Sequence, residues 1–289
     1  MRRVAFLTMD RPDGFVTYDH LAVAPLAARG WAVDFVPWRA DADWGAIEAV
    51  VVRSPWDYQD DPDAFLAVLA AIDASPACLA NPLGVMRWNL DKRYLRDLAA
   101  RGVPTLPTAW GDALTADDVH ALHDQFRGEV VVKPVVGANA DATFRLPPEA
   151  DPTAAVAALG ARPWLAQPFV RAVVDEGEAS VFLFGGAVSH AILKTPAAGD
   201  FRVQEEHGGV IRSLPLAPDL VDAAARAIAA AEDAGGADGP LLYARADLVR
   251  WDGGWAVMEV ELIEPSLYFA YDDAAADRFA DAFVRWMDG

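Results

Sequence analysis

The stretch from residue 4 to residue 81 constrains the fold most, because apolar runs that read as buried strands alternate there with helix-spaced segments. Val4 to Met9 is such a run, and Tyr18 to Arg29 then carries apolar residues at helical spacing up to Gly30. Trp31 to Pro37 reads as a second strand and Ala49 to Arg53 as a third. Asp63 to Ile72 follows as a helix with Pro62 near its start, and Cys78 to Asn81 as a short strand. Repeated strand-helix-strand order predicts a parallel sheet. Open sheets of this kind bind ligands beyond the carboxyl ends of their strands, where Asp10 and the run Arg53-Ser-Pro-Trp56-Asp-Tyr58 fall here.

The periodicity then changes. A long helix is expected from Asn89 to Arg101, ending at Gly102, and the proline-rich link after it is stiff and extended. A small α+β unit follows: a helix from Thr115 to Gln125, a strand from Glu129 to Pro134, a turn, a return strand from Thr143 to Leu146, and a helix near Pro152 to Leu159. From Trp164 onward the pattern is antiparallel, with strands expected at Ala179 to Phe184, Ala187 to Leu193, Val203 and Val210 to Ser213. An Ala-rich helix starts at Pro218 and ends at Gly235 and Gly236, and Asp-Gly-Gly joins Leu242 to Arg250 with Trp255 to Leu262 as a hairpin. A last helix runs from Asp273 to Met287. The fold class is thus α/β combined with α+β, in three units at 1–87, 88–166 and 167–289, and 289 residues exceed one minimal core. Clefts between units are the expected ligand sites.

Lys and Arg number 24 against 43 Asp and Glu, a formal net charge of -19, so nucleic acid is excluded as a partner over most of the surface. A few well-placed cations still suffice for one small nucleotide. No stretch approaches a membrane span, and Asp10 and Arg11 cut the N-terminal apolar run before a signal segment forms. Cys78, the only cysteine, excludes an intrachain disulfide and reads as a small buried residue of a cytoplasmic protein.

Three islands place charge in apolar surroundings. Lys133 lies in Val-Val-Val-Lys-Pro and needs an anionic partner if buried; the turn after it, with Gly137, Asn139 and then Arg145, has the makings of a flap over phosphates. In the hairpin, alternation puts Arg245 and Asp247 on one face and Glu259 with Glu261 on the matching face, so three carboxylates converge and magnesium would relieve their repulsion. Lys92 in Trp-Asn-Leu-Asp-Lys is a weaker signal. His120 and His123 have metal-pair spacing, but their helix is polar and reads as surface.

Taken in order, these islands resemble the ATP-grasp superfamily, which includes glutathione synthetase, D-alanine:D-alanine ligase and the cyclo-ligases that make cycloserine. The resemblance implies an N-terminal parallel-sheet substrate domain, a middle nucleotide lid and a C-terminal ATP and metal domain. It implies that Lys92 and Lys133 contact the nucleotide, with Gly137 and Asn139 in the phosphate loop, Gln167, Phe169 and Val170 in the adenine hinge, and Glu178 on the ribose. Asp247 and Glu259 match the metal ligands, Arg245 the phosphate-contacting arginine, and Glu261 stands where the third ligand is commonly asparagine.

The runs 53–58, 201–209 and 260–269 look most like the cycloserine cyclo-ligase type. On that likeness Arg53, Trp56, Tyr58 and Ser266 face the substrate, Lys194 and Arg202 the transferred phosphoryl, Gly208 the oxyanion, and His207 is a candidate base. The implied reaction is ATP- and magnesium-dependent, with manganese an acceptable substitute. A carboxylate becomes an acyl phosphate and passes to an amine-type nucleophile, with release of ADP. Partners are then small molecules, and a homodimer is compatible. Two rival classes share the nucleotide motifs: a kinase of a small metabolite, and a non-catalytic nucleotide-binding regulator.

Overall fold

The computed structural model describes residues 1–289. The N-terminal region contains β1 (Arg2–Thr8), α1 (Val23–Ala28), β2 (Trp31–Pro37), β3 (Ala49–Ser54), α2 (Pro62–Asp73) and β4 (Cys78–Ala80), followed by α3 (Leu83–Asn89) and α4 (Tyr94–Ala100). The strands form a parallel sheet in the order β2-β1-β3-β4. Alternation in β1 sends Val4 and Phe6 to one face, against Leu26 of α1, and Ala5 and Leu7 to the other, against Phe65 and Leu69 of α2. Both faces being covered explains why these strands are apolar throughout.

Next come β5 (Ala109–Gly111), α5 (Ala116–Phe126), β6 (Val130–Pro134), β7 (Phe144–Leu146), α6 (Thr153–Leu159) and β8 (Trp164–Pro168), which pair antiparallel in the order β5-β8-β6-β7. Strand β8 crosses the expected unit boundary at 166, so Gln167 lies in this middle sheet. The rest of the chain contributes α7 (Ala172–Asp175), β9 (Glu178–Phe184), β10 (Ala187–Thr195), β11 (Val210–Ser213), α8 (Pro218–Gly235), β12 (Tyr243–Trp251), β13 (Gly254–Glu261) and α9 (Ala275–Asp288). These strands form an antiparallel sheet in the order β11-β10-β9-β12-β13. Helices α8 and α4 cover one face, while α9 brings Phe279 and Phe283 between the other face and the N-terminal sheet. No helix is long and apolar enough to cross a membrane.

Three local expectations differ from the structure. The helix expected over Asn89 to Arg101 is broken between Asn89 and Tyr94, because the Asp91 side chain accepts from Arg93 N–H at 2.8 Å and Lys92 N–H donates to the Val135 carbonyl at 2.8 Å. Those bonds replace the helical ladder and aim Lys92 at the middle lobe. Cys78 is exposed rather than buried, since it opens the edge strand β4 whose next residues, Leu79 and Ala80, point inward. Val203 is buried, but in a loop rather than a strand.

Candidate active site

The middle and C-terminal sheets face each other across a cavity into which both strand-borne lysines and the hairpin carboxylates project. Hairpin register pairs Asp247 with Glu259 and Arg245 with Glu261, as alternation predicts. Lys92 Nζ lies 2.6 Å from Glu259 and also donates to the Gly137 carbonyl at 2.8 Å, tying the C-terminal hairpin to the loop after β6. Lys133 approaches the other Glu259 oxygen at 3.8 Å. Burial depresses both lysines; at Lys92 the close Glu259 reverses this and raises its pKa, whereas Lys133 stays below the usual lysine value. Lys133 is thus the cation with more capacity to gain from an incoming anion.

Lys194 of β10 pairs with Glu178 and lies 3.3 Å from Asp247, which also accepts from Ser180 at 2.5 Å and Arg245 at 2.9 Å. Burial raises Asp247, but Arg245 and Lys194 outweigh it and hold its pKa down at about 2. Glu261 pairs with Arg245, yet burial pushes it up to about 8, with Asp247 and Glu259 adding to the rise. Glu264, which no sequence motif marks, is pushed up to about 7, chiefly by burial. Burial is the main cause in both, and the neighbouring carboxylates add to it.

The metal set expected from sequence is not assembled as a cluster: no group of three or more His, Cys, Asp or Glu side chains is gathered to ligate one ion. The carboxylates share a face, but each is drawn to a lysine or arginine instead. Their hard oxygen donors and excess charge nonetheless fit magnesium. His123 turns to the Gly128 carbonyl at 2.8 Å, and His120 is exposed on α5, away from any metal-binding group.

Gln167, Phe169 and Val170 line the cavity, as do Gly137, Asn139 and Glu178; the Gln167 amide donates to Thr108 at 3.1 Å. The loop after β6 takes left-handed backbone at Asn139, Ala140 and Ala142, so its non-glycine residues are strained there. Arg145 does not join it: it pairs with Glu129 at 2.6 Å and lies over the Phe169 ring, outside the cavity.

Among the substrate candidates, Trp56, Tyr58, Ser266 and Arg202 line the cavity, with Arg202 held by Asp200 at 2.7 Å. Arg53 does not. It is fully buried, with Nε on Asp19 at 3.0 Å and a terminal nitrogen on the Pro265 carbonyl at 2.6 Å, so no face is left for a substrate carboxylate. A 34-residue separation from Asp19 hid this pairing from sequence inspection. Gly208 and His207 also lie outside the cavity lining, with His207 Nε2 at 3.4 Å from the Asn139 carbonyl. The glycines have a structural reason: Gly208 has φ +79°, and a Cβ on Gly209 would sit 2.1 Å from the Val203 carbonyl oxygen.

Two facing antiparallel sheets beside a parallel-sheet domain, with lysines and carboxylates between them, define the ATP-grasp fold. A profile for the N-terminal domain of D-cycloserine synthetase DcsG matches residues 4–81. The cycloserine biosynthesis protein DcsG of Streptomyces lavendulae is 38% identical over 255 residues, 84% of each chain. The crystal structure of D-cycloserine synthetase DcsG superposes with TM-score 0.86 at 33% identity, over 99% of both chains. D-alanine–D-alanine ligase from Bacillus anthracis, solved with ATP, shares the fold at TM-score 0.69 and 16% identity, over 99% of this chain and 97% of its own. The ATP-grasp ligase PsnB, solved with precursor, magnesium and ADP, does so at TM-score 0.64 and 16% identity, over 99% and 98%. The chain belongs to the ATP-grasp ligase family that includes the cycloserine synthetase DcsG. It is an ATP-dependent, ADP-forming ligase, and neither the kinase nor the regulator reading is favoured.

Proposed function

We propose that this ligase closes a ring within a small amino-acid derivative, joining its carboxylate carbon to a nitrogen carried by the same molecule. Cycloserine, the product in the name of the relatives, is a serine skeleton whose side-chain oxygen bears a nitrogen bonded back to the acyl carbon. Making it from an open amino-oxy acid requires one acyl carbon–nitrogen bond. A substrate carboxylate oxygen attacks the γ-phosphorus of ATP, ADP leaves, and the nitrogen attacks the acyl carbon of the resulting acyl phosphate; phosphate departs with the former carboxylate oxygen that bridged carbon and phosphorus, and the nitrogen loses a proton.

The observation that carries this reading is the placement of Lys92, Lys133, Lys194 and Arg245 around one cavity that also contains Ser266 and Tyr58. In this scheme Lys92 and Lys133 neutralise nucleotide phosphates, with Gly137 and Asn139 covering them, while Lys194 and Arg245 meet the transferred phosphoryl group. Gln167, Phe169 and Val170 seat adenine and Glu178 the ribose. Trp56, Tyr58 and Ser266 receive the acid, with Arg202 entering from the loop above it. Asp247 and Glu259, with Glu261 beside them, would hold magnesium or manganese, which when bound offsets phosphate charge. No side-chain nucleophile is required. The enzyme acts in the cytoplasm on small molecules, without nucleic acid or membrane, and a homodimer is compatible with this role. Functional division follows the three units: acid on the N-terminal unit, nucleotide under the middle lobe, phosphoryl chemistry on the C-terminal sheet.

The test is ADP release screened over amino acids and their ureido, hydroxy and amino-oxy derivatives, with hydroxylamine present to trap the acyl phosphate as a hydroxamate. Ring closure predicts equal ADP and phosphate, a hydroxamate in the trap, and a cyclic product without it. A stable phosphate ester, or AMP with pyrophosphate, would sink the proposal.

A further inference from the structure

Five consecutive carbonyls after the hairpin are each caught by a different side chain. Tyr243 Oη donates to Ile263 O at 2.8 Å, Trp56 Nε1 to Glu264 O at 2.9 Å, Arg53 to Pro265 O at 2.6 Å, Arg245 to Ser266 O at 3.3 Å, and His190 Nε2 to Leu267 O at 3.0 Å. The donors come from both the N-terminal and the C-terminal sheets, so the segment is a strap sewn across their junction. No hydrogen bond within the protein uses the N–H groups of Ser266, Leu267 or Tyr268. In a trans peptide the carbonyl and the next residue's N–H point in opposite directions. Catching the Pro265 carbonyl in the core therefore turns the Ser266 N–H away from it, and Ser266 and Tyr268 line the cavity.

We propose that Arg53 is a positioning residue, which sets the orientation of the Pro265–Ser266 peptide and hence the fit of the small-molecule substrate, without touching that substrate. Two features of Arg53 suit it to this. Its guanidinium is a rigid fork that serves Asp19 with one nitrogen and the Pro265 carbonyl with another, and it is enclosed beneath the Tyr243 ring, 5.2 Å from its centroid. The Asp19 charge keeps the guanidinium in place, while the carbonyl contact is the output. The proposal takes from the ring-closure reading only that Ser266 faces the acid.

Arg53→Lys separates these two parts, because one ammonium keeps the charge for Asp19 but cannot also span to Pro265. Relative to Arg53→Met, the lysine variant is expected to recover most of the melting temperature. The Ser266 amide nitrogen shift, which follows the hydrogen bond on the carbonyl of its own peptide, is expected to stay displaced from its wild-type position. Affinity for MgATP, titrated alone, is expected to stay within about twofold, and KM for the amino-oxy acid to rise about tenfold with a smaller change in kcat. A wild-type Ser266 amide shift in Arg53→Lys, or a parallel loss of MgATP affinity, would overturn the proposal. The shift measurement and the nucleotide titration need no acid, so a wild-type enzyme that turns over no amino-oxy acid counts against the ring-closure reading alone. Should Arg53→Met fail to fold, Tyr243→Phe replaces it as the reference: it removes the donor to the Ile263 and Ala80 carbonyls and leaves Pro265 O with Arg53, so the Glu264 amide should shift and that of Ser266 should not. Equal displacement at both positions would show that no single donor orients its own peptide, and would overturn the assignment to Arg53.

Discussion

Two segments border one side of the cavity, and they are held in opposite ways. The strap, Ile263 to Leu267, forms a floor: five carbonyls are caught by five side chains, and Ile263 and Leu267 are almost wholly buried. The loop from Pro196 to Gly209 forms a cover, held by the buried Val203 and by a few polar contacts near its far end. Glu205 accepts from Tyr18 and Tyr271 at 3.0 Å each, Glu206 accepts from the Val16 N–H at 3.2 Å, and His207 reaches the Asn139 carbonyl at 3.4 Å. Glu206 and Gly208 are exposed. A substrate must be oriented by something that does not move and enclosed by something that does. The floor spends buried hydrogen bonds on orientation, whereas the cover's polar contacts at Glu205, Glu206 and His207 are part-buried or exposed and cost less to break.

If the floor depends on buried charge, Asp19→Ala should give the largest effect. It leaves Arg53 enclosed without its counter-charge, and loss of one partner of a buried pair costs about 3–5 kcal/mol. Urea denaturation should show this as a lower midpoint at unchanged slope. A loss below about 1 kcal/mol, the range of surface pairs, would erase the contrast between floor and cover.

The floor should also be acid-sensitive through His190. In the neutral ring Nε2 donates to the Leu267 carbonyl and Nδ1 accepts from Ser189, whose Oγ in turn accepts from Arg278 at 2.9 Å. Burial pushes its pKa down to about 4, and Arg278 adds to the lowering, while the Leu267 carbonyl and Asp272 oppose it. The unfolded chain therefore binds this proton more readily, so stability is full above about pH 6.5 and falls as pH drops toward 4, by on the order of 3 kcal/mol. Denaturation midpoints for the wild type and His190→Gln should converge across that window. Parallel curves would mean that His190 does not contribute this sensitivity.

Cover and floor differ as much in legibility as in construction. Lys133, Asp247 and Glu259 are readable because charge in an apolar strand is conspicuous and strand alternation fixes which residues share a face. The cover's run 201–209 is readable as a family likeness, although the close approach of Gly209 to Val203 is not. The strap is invisible in the sequence, since its five donors come from positions 53, 56, 190, 243 and 245 and meet only when two sheets pack. Arg53 misleads for the same reason: an arginine at a strand end reads as a ligand until its distant aspartate is seen. Glu264 lies in plain view, but only burial between Tyr58 and the other carboxylates makes it unusual.

Glu205→Ala should divide the two regions functionally. Fold stability is expected to change by less than about 1 kcal/mol, because Glu205 anchors a surface loop rather than a packed element. Coupling should suffer instead: an acyl phosphate reached by water is hydrolysed, so ADP formed per cyclic product should rise above one. A ratio that stays at one, with KM unchanged, would show that the cover does not exclude water by this latch.

The smallest effects are expected from the phenols that hold Glu205, and their pattern carries the information. Tyr18→Phe and Tyr271→Phe each keep the ring packing among Tyr18, Tyr268 and Tyr271 while removing one hydroxyl from Glu205. A carboxylate with one remaining donor is still anchored, so each single change should cost about 0.5 kcal/mol or less and leave the ADP-to-product ratio near one. Together they leave Glu205 with neither donor, and the double variant should raise the ADP-to-product ratio as Glu205→Ala does, an effect that neither single change shows. Additivity would mean that the hydroxyls act separately on ring packing. Coupling would mean that the cover is closed by one shared carboxylate, whereas the floor is held by five donors, each on its own carbonyl.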